Sequence, residues 1–185
     1  MEEDRIALFV DYENLALGAR DHLGGMTFDL KPIADALADL GDLEIARVAM
    51  HPGSVQGFGR LGRDEVPTFL LPSNPVSALV IAETFTRPAI RSSLGKTAVT
   101  RRTVKARSLR ELSSIPGRRG YNRARLMRDS DTGDYLVEPL SALEAGPAHL
   151  LAGFAEANAM IHLPEDAVNV RPGDIVDVEF LRQRS

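Results

Sequence analysis

Cysteine is absent from this sequence, which removes disulfide frameworks, thiolate metal ligands and thiol nucleophiles from consideration. That absence agrees with a reducing compartment. Long apolar runs are lacking too. No stretch approaches the roughly 20 residues that a membrane-crossing helix needs, so no membrane association is expected. The opening MEEDR is acidic and carries no signal-peptide pattern, and the expected location is cytoplasmic. Internal repeats and low-complexity segments are missing as well. The four histidines, His22, His51, His149 and His162, show neither zinc-ligand spacing nor paired carboxylates. They read as structural or surface residues, with His51 the only site candidate among them. No Ser/His/Asp arrangement can be argued from residue order alone.

What is present suits one medium domain or two small ones, because 44% apolar content over 185 residues can fill real cores. The net charge of −4 hides an asymmetry along the chain. Residues 87–128 carry 13 Lys/Arg against one acid, Glu111, a net +12 that leaves −16 for the remainder. A basic block of this kind either attracts phosphates, nucleotides or nucleic acid, or forms a solvated face of a β-rich domain.

Residues 6–10 form a short apolar run ending at Asp11, the pattern of a buried parallel strand with a carboxylate at its tip. Ile33, Leu37 and Leu40 have helical spacing; Asp29 can cap that helix, Pro32 suits its first turn and Gly41 can end it. With a strand predicted over residues 43–50, these make one βαβ unit. The stretch HPGSVQGFGRLG, residues 51–62, holds four glycines and a proline and predicts loop or turn. Residues 66–71 predict a second apolar strand. Asn74 can then cap a helix whose first position is Pro75 and which extends to about Leu94.

After Gly95 the pattern becomes β-like. Residues 97–107 predict a strand, and RARLMRDSDTGDYLVEPL alternates on both sides of a polar turn at Asp131, Thr132 and Gly133, a hairpin. A short helix over residues 150–158 and strands over 159–163 and 175–180 complete the expectation. The fold class is therefore α/β: a partial three-layer α/β segment followed by a small β-rich, barrel-like domain.

The most chemical feature readable from residue types is the strand, loop and helix over residues 69–83. A helix N-terminus presents unpaired backbone N–H groups and a positive dipole end, where an oxyanion can sit with help from Ser73, Asn74 and Ser77. The alternative is an ordinary capped helix.

LLPSNPVSALV followed by FTRPAIR resembles the LPGNPVSA signature and following helix of the MoeA family, molybdopterin molybdenumtransferases also represented by the gephyrin E domain. RVAMHPGSVQGFGRLG is similar to that family's PGKPxxFG loop, and GRRGYNRARL, AGFAEANAMIHLP and VRPGDIVDVEF follow in its order. The resemblance covers about three-quarters of the chain. It implies insertion of molybdenum from molybdate into adenylated molybdopterin with Mg²⁺, and hence a phosphorylated pterin nucleotide as ligand. It also implies a homodimer and an adenylyltransferase partner of the MoaB/MogA type.

Carried over residue by residue, the pterin or molybdate site comprises Pro52, Gly53, Pro72, Ser73, Asn74, Pro75 and Ser77, with Arg118 and Arg123 supplied by the β domain. No catalytic residue is assigned. The chain departs from the pattern at Ser54, where the family usually has lysine, at Ser73, where it has glycine, and near Ala148, where it often has serine. An alcohol cannot replace an ammonium as a phosphate-neutralising charge.

At the other end, RIALFVDYENLALGAR with FDLKPIADAL resembles the opening of NYN domains, PIN-like metal-dependent ribonucleases. That resemblance implies a metal site at Asp11 with Asn14 beside it. One carboxylate does not make a hydrolytic metal centre. Asp129 and Asp131 imitate the later acidic motifs, yet fall in the predicted hairpin turn. The expected organisation is an incomplete NYN-like segment over 1–46, the end of a MoeA-type α/β domain over 47–95 and a MoeA domain IV-like β domain over 96–185, with the join within 33–47. The alternatives are a ribonuclease using RNA, and a non-catalytic fusion product.

Overall fold

The computed structural model describes residues 41–72, 74–140, 156–167 and 169–182. The predicted strand over 6–10, the helix over 29–41, most of the helix over 150–158, and Asp11, Asn14 and Ser73 lie outside them. The chain divides into two units. The described part of the first is Gly41–Val48 with Gly53–Thr86, and the second takes in Ala49–Pro52 and the residues from Arg87 onward.

In the first unit, β1 (Gly41–Arg47), β3 (Val55–Leu61) and β4 (Val66–Leu70) form one sheet in the order β1-β3-β4, with both pairings antiparallel. The expected parallel three-layer segment is not supported: these strands meander through short connections, which only antiparallel neighbours can use. The glycine-rich stretch read as loop is mostly strand. His51 of β2 (Met50–His51), in the second unit, and the seven residues of β3 occupy eight of its residues. The glycines of β3 serve close packing: a Cβ on Gly57 would lie 2.8 Å from Leu70 Cδ1, and one on Gly59 would overlap the Asp42 carbonyl oxygen of β1.

The helical residues run from Pro75 to Ser93: α1 (Pro75–Ile81), a π-helical turn (Ala82–Thr86) and, in the second unit, α2 (Arg87–Ser93). The π turn has a local cause. Pro88 lacks the N–H that would bond the Thr84 carbonyl and its ring crowds that group, so the backbone widens just upstream. Val80 and Ile81, each 1% exposed, anchor α1 in the first unit.

The second unit is a closed five-stranded barrel. β5 (Thr103–Ser108), β7 (Arg119–Arg128), β8 (Tyr135–Pro139), β9 (Ala159–Leu163) and β11 (Ile175–Phe180) run in the order β7-β8-β5-β11-β9, and β9 pairs back onto β7. β2 adds in parallel to the start of β7, while β6 (Leu112–Ser113) and β10 (Asn169–Val170) form a separate ribbon. Residues 159–163 and 175–180 are strands as predicted; the strand predicted over 97–107 begins only at Thr103. Inward positions alternate as the pleat requires: Ala124 and Leu126, Val137, Ala159, Ile161 and Leu163, Val176 and Val178 fill the interior.

The predicted hairpin is present as β7 and β8. Asp129 Oδ1 accepts from the backbone N–H of Thr132 at 2.8 Å and of Asp131 at 2.9 Å, and these bonds hold its carboxyl below the usual carboxylate range. Asp129 is thus committed to the turn.

Asn158 extends the β7–β9 pairing by one step with its side chain. Its Oδ1 accepts from Leu126 N–H at 2.7 Å and its Nδ2 donates to Leu126 O at 3.0 Å, as a peptide unit of a neighbouring strand would. Asn158→Ala leaves both backbone groups unpaired and is expected to destabilise the second unit by about 2 kcal/mol, read from denaturant unfolding. A midpoint equal to that of the wild type would refute the clamp.

Candidate anion-binding surfaces

The residues singled out in sequence fall into both units. Gly53, Pro72, Asn74, Pro75 and Ser77 belong to the first, whereas Pro52, Arg118 and Arg123 belong to the second.

In the first unit, Gly53 and the start of α1 come together. Gly53 has φ +93°, and a Cβ there would stand 3.0 Å from Ile81 Cγ1 and 3.5 Å from the Ser77 carbonyl oxygen. Only glycine combines that backbone conformation with so close an approach. Gln56 Nε2 donates to Gly53 O at 3.0 Å and Val48 N–H donates to Ser54 O at 2.8 Å, which ties the loop down from both sides.

Asn74 caps α1. Its Oδ1 accepts from Val76 N–H at 3.0 Å and from Ser77 N–H at 3.2 Å, its carbonyl accepts from Ala78 N–H at 2.9 Å, and Pro75 occupies the first helical position. The expectation of an oxyanion held by free helix-terminal N–H groups is therefore corrected. Pro75 has no N–H, and the next three are bonded to Asn74. What this end can offer a ligand is the Asn74 Nδ2 donor, held in a fixed direction because Oδ1 is committed.

In the second unit, Arg123 is not the surface strand arginine that alternation suggests. Ala124 and Leu126 point into the barrel, so Arg123 points outward, yet it is only 7% exposed, and burial lowers the pKa of its guanidinium. It takes part in a contact within the fold. Arg118 is exposed in the turn before β7, where its N–H donates to Ile115 O at 3.2 Å.

Four of the thirteen basic side chains in the block meet acids from later in the chain. Lys105 meets Asp177 at 2.8 Å, Arg110 meets Glu138 at 2.9 Å, Arg119 meets Glu165 at 3.2 Å and Arg125 meets Glu156 at 3.5 Å. Antiparallel pairing juxtaposes segments that sequence keeps apart, so a charge excess along the chain becomes a mixed surface. These exposed pairs add little stability. They do remove the need for a polyanion covering the whole block.

Sequence reasoning missed one group. On the outer wall, His162 Nε2 lies 2.8 Å from Glu179 Oε2, and the His162 ring stands edge-on to Tyr121 with centroids 5.0 Å apart. Burial pushes the Tyr121 hydroxyl above its usual range, against the opposing pull of Arg119. His51, the histidine singled out earlier, lies exposed on β2. Among the described residues, no group of three or more His, Asp or Glu side chains could hold a metal ion, and no helix is long and apolar enough to cross a membrane.

Residues 105–181 match the profile of the family described as MoeA C-terminal region (domain IV). Molybdopterin molybdenumtransferase 1 of Mycobacterium tuberculosis is 56% identical over 151 residues, covering 82% of this chain and 35% of the relative. Molybdopterin molybdenumtransferase 2 of the same organism is 34% identical over 165 residues, covering 88% of this chain and again 35% of the relative. The chain thus spans about a third of the length of these curated relatives. A molybdopterin biosynthesis MoeA protein from Pyrococcus horikoshii shares the fold with a TM-score of 0.67 at 21% identity, over 94% of this chain and 42% of that one. This chain accordingly contains a MoeA C-terminal region (domain IV), and molybdopterin molybdenumtransferase homologues cover most of its length.

Proposed function

We propose that this chain acts in molybdenum cofactor biosynthesis as the C-terminal portion of a molybdopterin molybdenumtransferase, binding adenylated molybdopterin while molybdenum from molybdate is inserted. The observation that carries this reading is the 56% identity to a molybdopterin molybdenumtransferase over 82% of the chain. The geometry adds two supports. Asn74 directs one amide donor from a rigidly capped helix start, beside a glycine turn too tight for any other residue. Arg123 keeps a guanidinium in a desolvated position, where an anion is worth more to it than in water.

The contribution of these residues is binding and orientation: Gly53, Pro72, Asn74, Pro75 and Ser77 on one unit, Pro52, Arg118 and Arg123 on the other. Ser73 completes the motif in sequence. Homodimerisation and an adenylyltransferase partner belong to the same proposal. Among the described residues no three His, Asp or Glu side chains converge on a metal position, and no step is assigned to Mg²⁺.

Titration calorimetry with adenylated molybdopterin tests the reading. The wild type is expected to bind saturably, and Arg123→Gln to weaken binding at least about tenfold, as loss of a charge-assisted hydrogen bond does. A cooperatively folded wild type that takes up no ligand would overturn the assignment.

A further inference from the structure

Gln56, the second residue of β3, is polar yet only 9% exposed, and its Nε2 donates to the Gly53 carbonyl oxygen at 3.0 Å. In a trans peptide the carbonyl and the N–H that follows it point in opposite directions. A Gly53 carbonyl held toward Gln56 therefore turns the Ser54 N–H away from Gln56.

The ladder bears the mark of this turn. β1 and β3 pair Ala46 with Gln56 and Arg47 with Val55, so Val48 and Ser54 stand opposite each other at the next step. Alternate pairs in an antiparallel ladder exchange two backbone bonds. Here one of the two is made, from Val48 N–H to Ser54 O at 2.8 Å. The reciprocal bond is not, and among the described residues nothing accepts from the Ser54 N–H or from the Gly53 N–H before it. Successive main-chain N–H groups at a turn can hold an anion without a basic side chain. The turn is braced for this, since Gly53 has φ +93° and a Cβ on it would stand 3.0 Å from Ile81 Cγ1, a side chain buried in α1.

We propose that Gln56 is a positioning residue for the ligand: by holding the Gly53 carbonyl it takes the Gly53–Ser54 peptide out of the β1–β3 ladder and leaves the Ser54 N–H as a main-chain donor to an oxyanion of the ligand. This rests on the assignment of Gly53 to ligand binding made above. Gln56 itself touches no ligand atom, and its effect passes through one peptide plane.

The test is calorimetric titration of the full chain with adenylated molybdopterin at about pH 8 and about pH 5.5, with thermal melting of each variant alongside. Affinities are compared with the wild type at the same pH, so that titration of the ligand phosphate cancels. Gln56→Met keeps the length of the side chain and removes its donor; it is expected to bind about tenfold more weakly at both pH values. Gln56→Glu separates positioning from packing. At about pH 8 its carboxylate has no proton to give the Gly53 carbonyl, and binding is expected to fall by about tenfold or more. Protonation at the lower pH, favoured by burial of the position, restores an O–H donor, and the affinity is expected to recover to within about threefold of the wild type.

The Ser54 amide proton, followed by NMR in the wild type, is expected to shift downfield as ligand saturates the chain. Saturable wild-type binding matched by both variants at both pH values would overturn the role of Gln56 while leaving the assignment of Gly53 standing. A loss in Gln56→Glu that does not recover at the lower pH would do the same, since it would mark a packing defect. Should neither variant fold, the Ser54 resonance decides alone, and one unmoved by saturating ligand would overturn the proposal. A cooperatively folded wild type that takes up no ligand would overturn both readings.

Discussion

Asn74→Asp is expected to leave the fold intact and to weaken binding of adenylated molybdopterin by roughly a hundredfold. The two halves of this expectation have separate causes. Asn74 holds α1 through its Oδ1, which accepts from Val76 and Ser77, and an aspartate carboxylate does this equally well, so stability should stay within about 0.5 kcal/mol. The amide's other end is what a ligand can use. Aspartate replaces that donor with a charge of the ligand's own sign. Asn74→Ala separates the effects in the opposite way: it loses the cap at about 1 kcal/mol but introduces no repulsion. Paired melting and calorimetric titration would check both variants, and an unchanged affinity in Asn74→Asp would remove this helix start from the binding site.

Gly59→Ala is expected to have the largest effect on the first unit, a loss of about 3 kcal/mol or a failure to form the β1–β3 pairing. Asp42 and Leu43 of β1 run so close to Gly59 that an added methyl would overlap the Asp42 carbonyl, which is backbone and cannot rotate away. Gly62→Ala is the control. It sits four residues from Phe58 with open space around it, and its φ of +74° costs strain without collision. Hydrogen exchange of the β1 amides would report the difference, and equal protection in the two variants would count against the packing account.

These glycines also show why sequence reading succeeded in one place and failed in another. Strands β9 and β11 were legible to the residue because AMIHL and IVDVEF alternate between a filled interior and an outer wall, the signal that periodicity detects. The hairpin turn was legible because Asp129 and Gly133 each have a local chemical job. In β3 the glycines imitate a loop, since composition cannot distinguish a residue that frees the backbone from one that admits a neighbour. The parallel βαβ layer was inferred from a strand and helix outside the described residues, and the strands that are described pair antiparallel.

The candidate site divides similarly. The Asn74 cap follows from Asn-Pro at a helix start, a local rule. The burial of Arg123 does not, because alternation gives the face a side chain points to and says nothing of what covers that face. The His162–Glu179 contact requires knowing that β9 lies beside β11 in one register, a fact of topology that neither segment carries.

The closure of the barrel has a consequence for how the chain must be made. β5 takes most of its pairing from β11, with Lys105 opposite Asp177, while β8 meets it only at Arg107 and Ser108. A ribosome therefore delivers β5 some seventy residues before its main neighbour exists. Over that interval Val104 and Ala106 have no interior to enter, and the block of arginines and lysines around them keeps the waiting strand soluble and discourages its pairing with other nascent chains. The acids that pair with four of these cations, Glu138, Glu156, Glu165 and Asp177, all follow them in the chain, so until those acids emerge the waiting strand keeps its excess of positive charge.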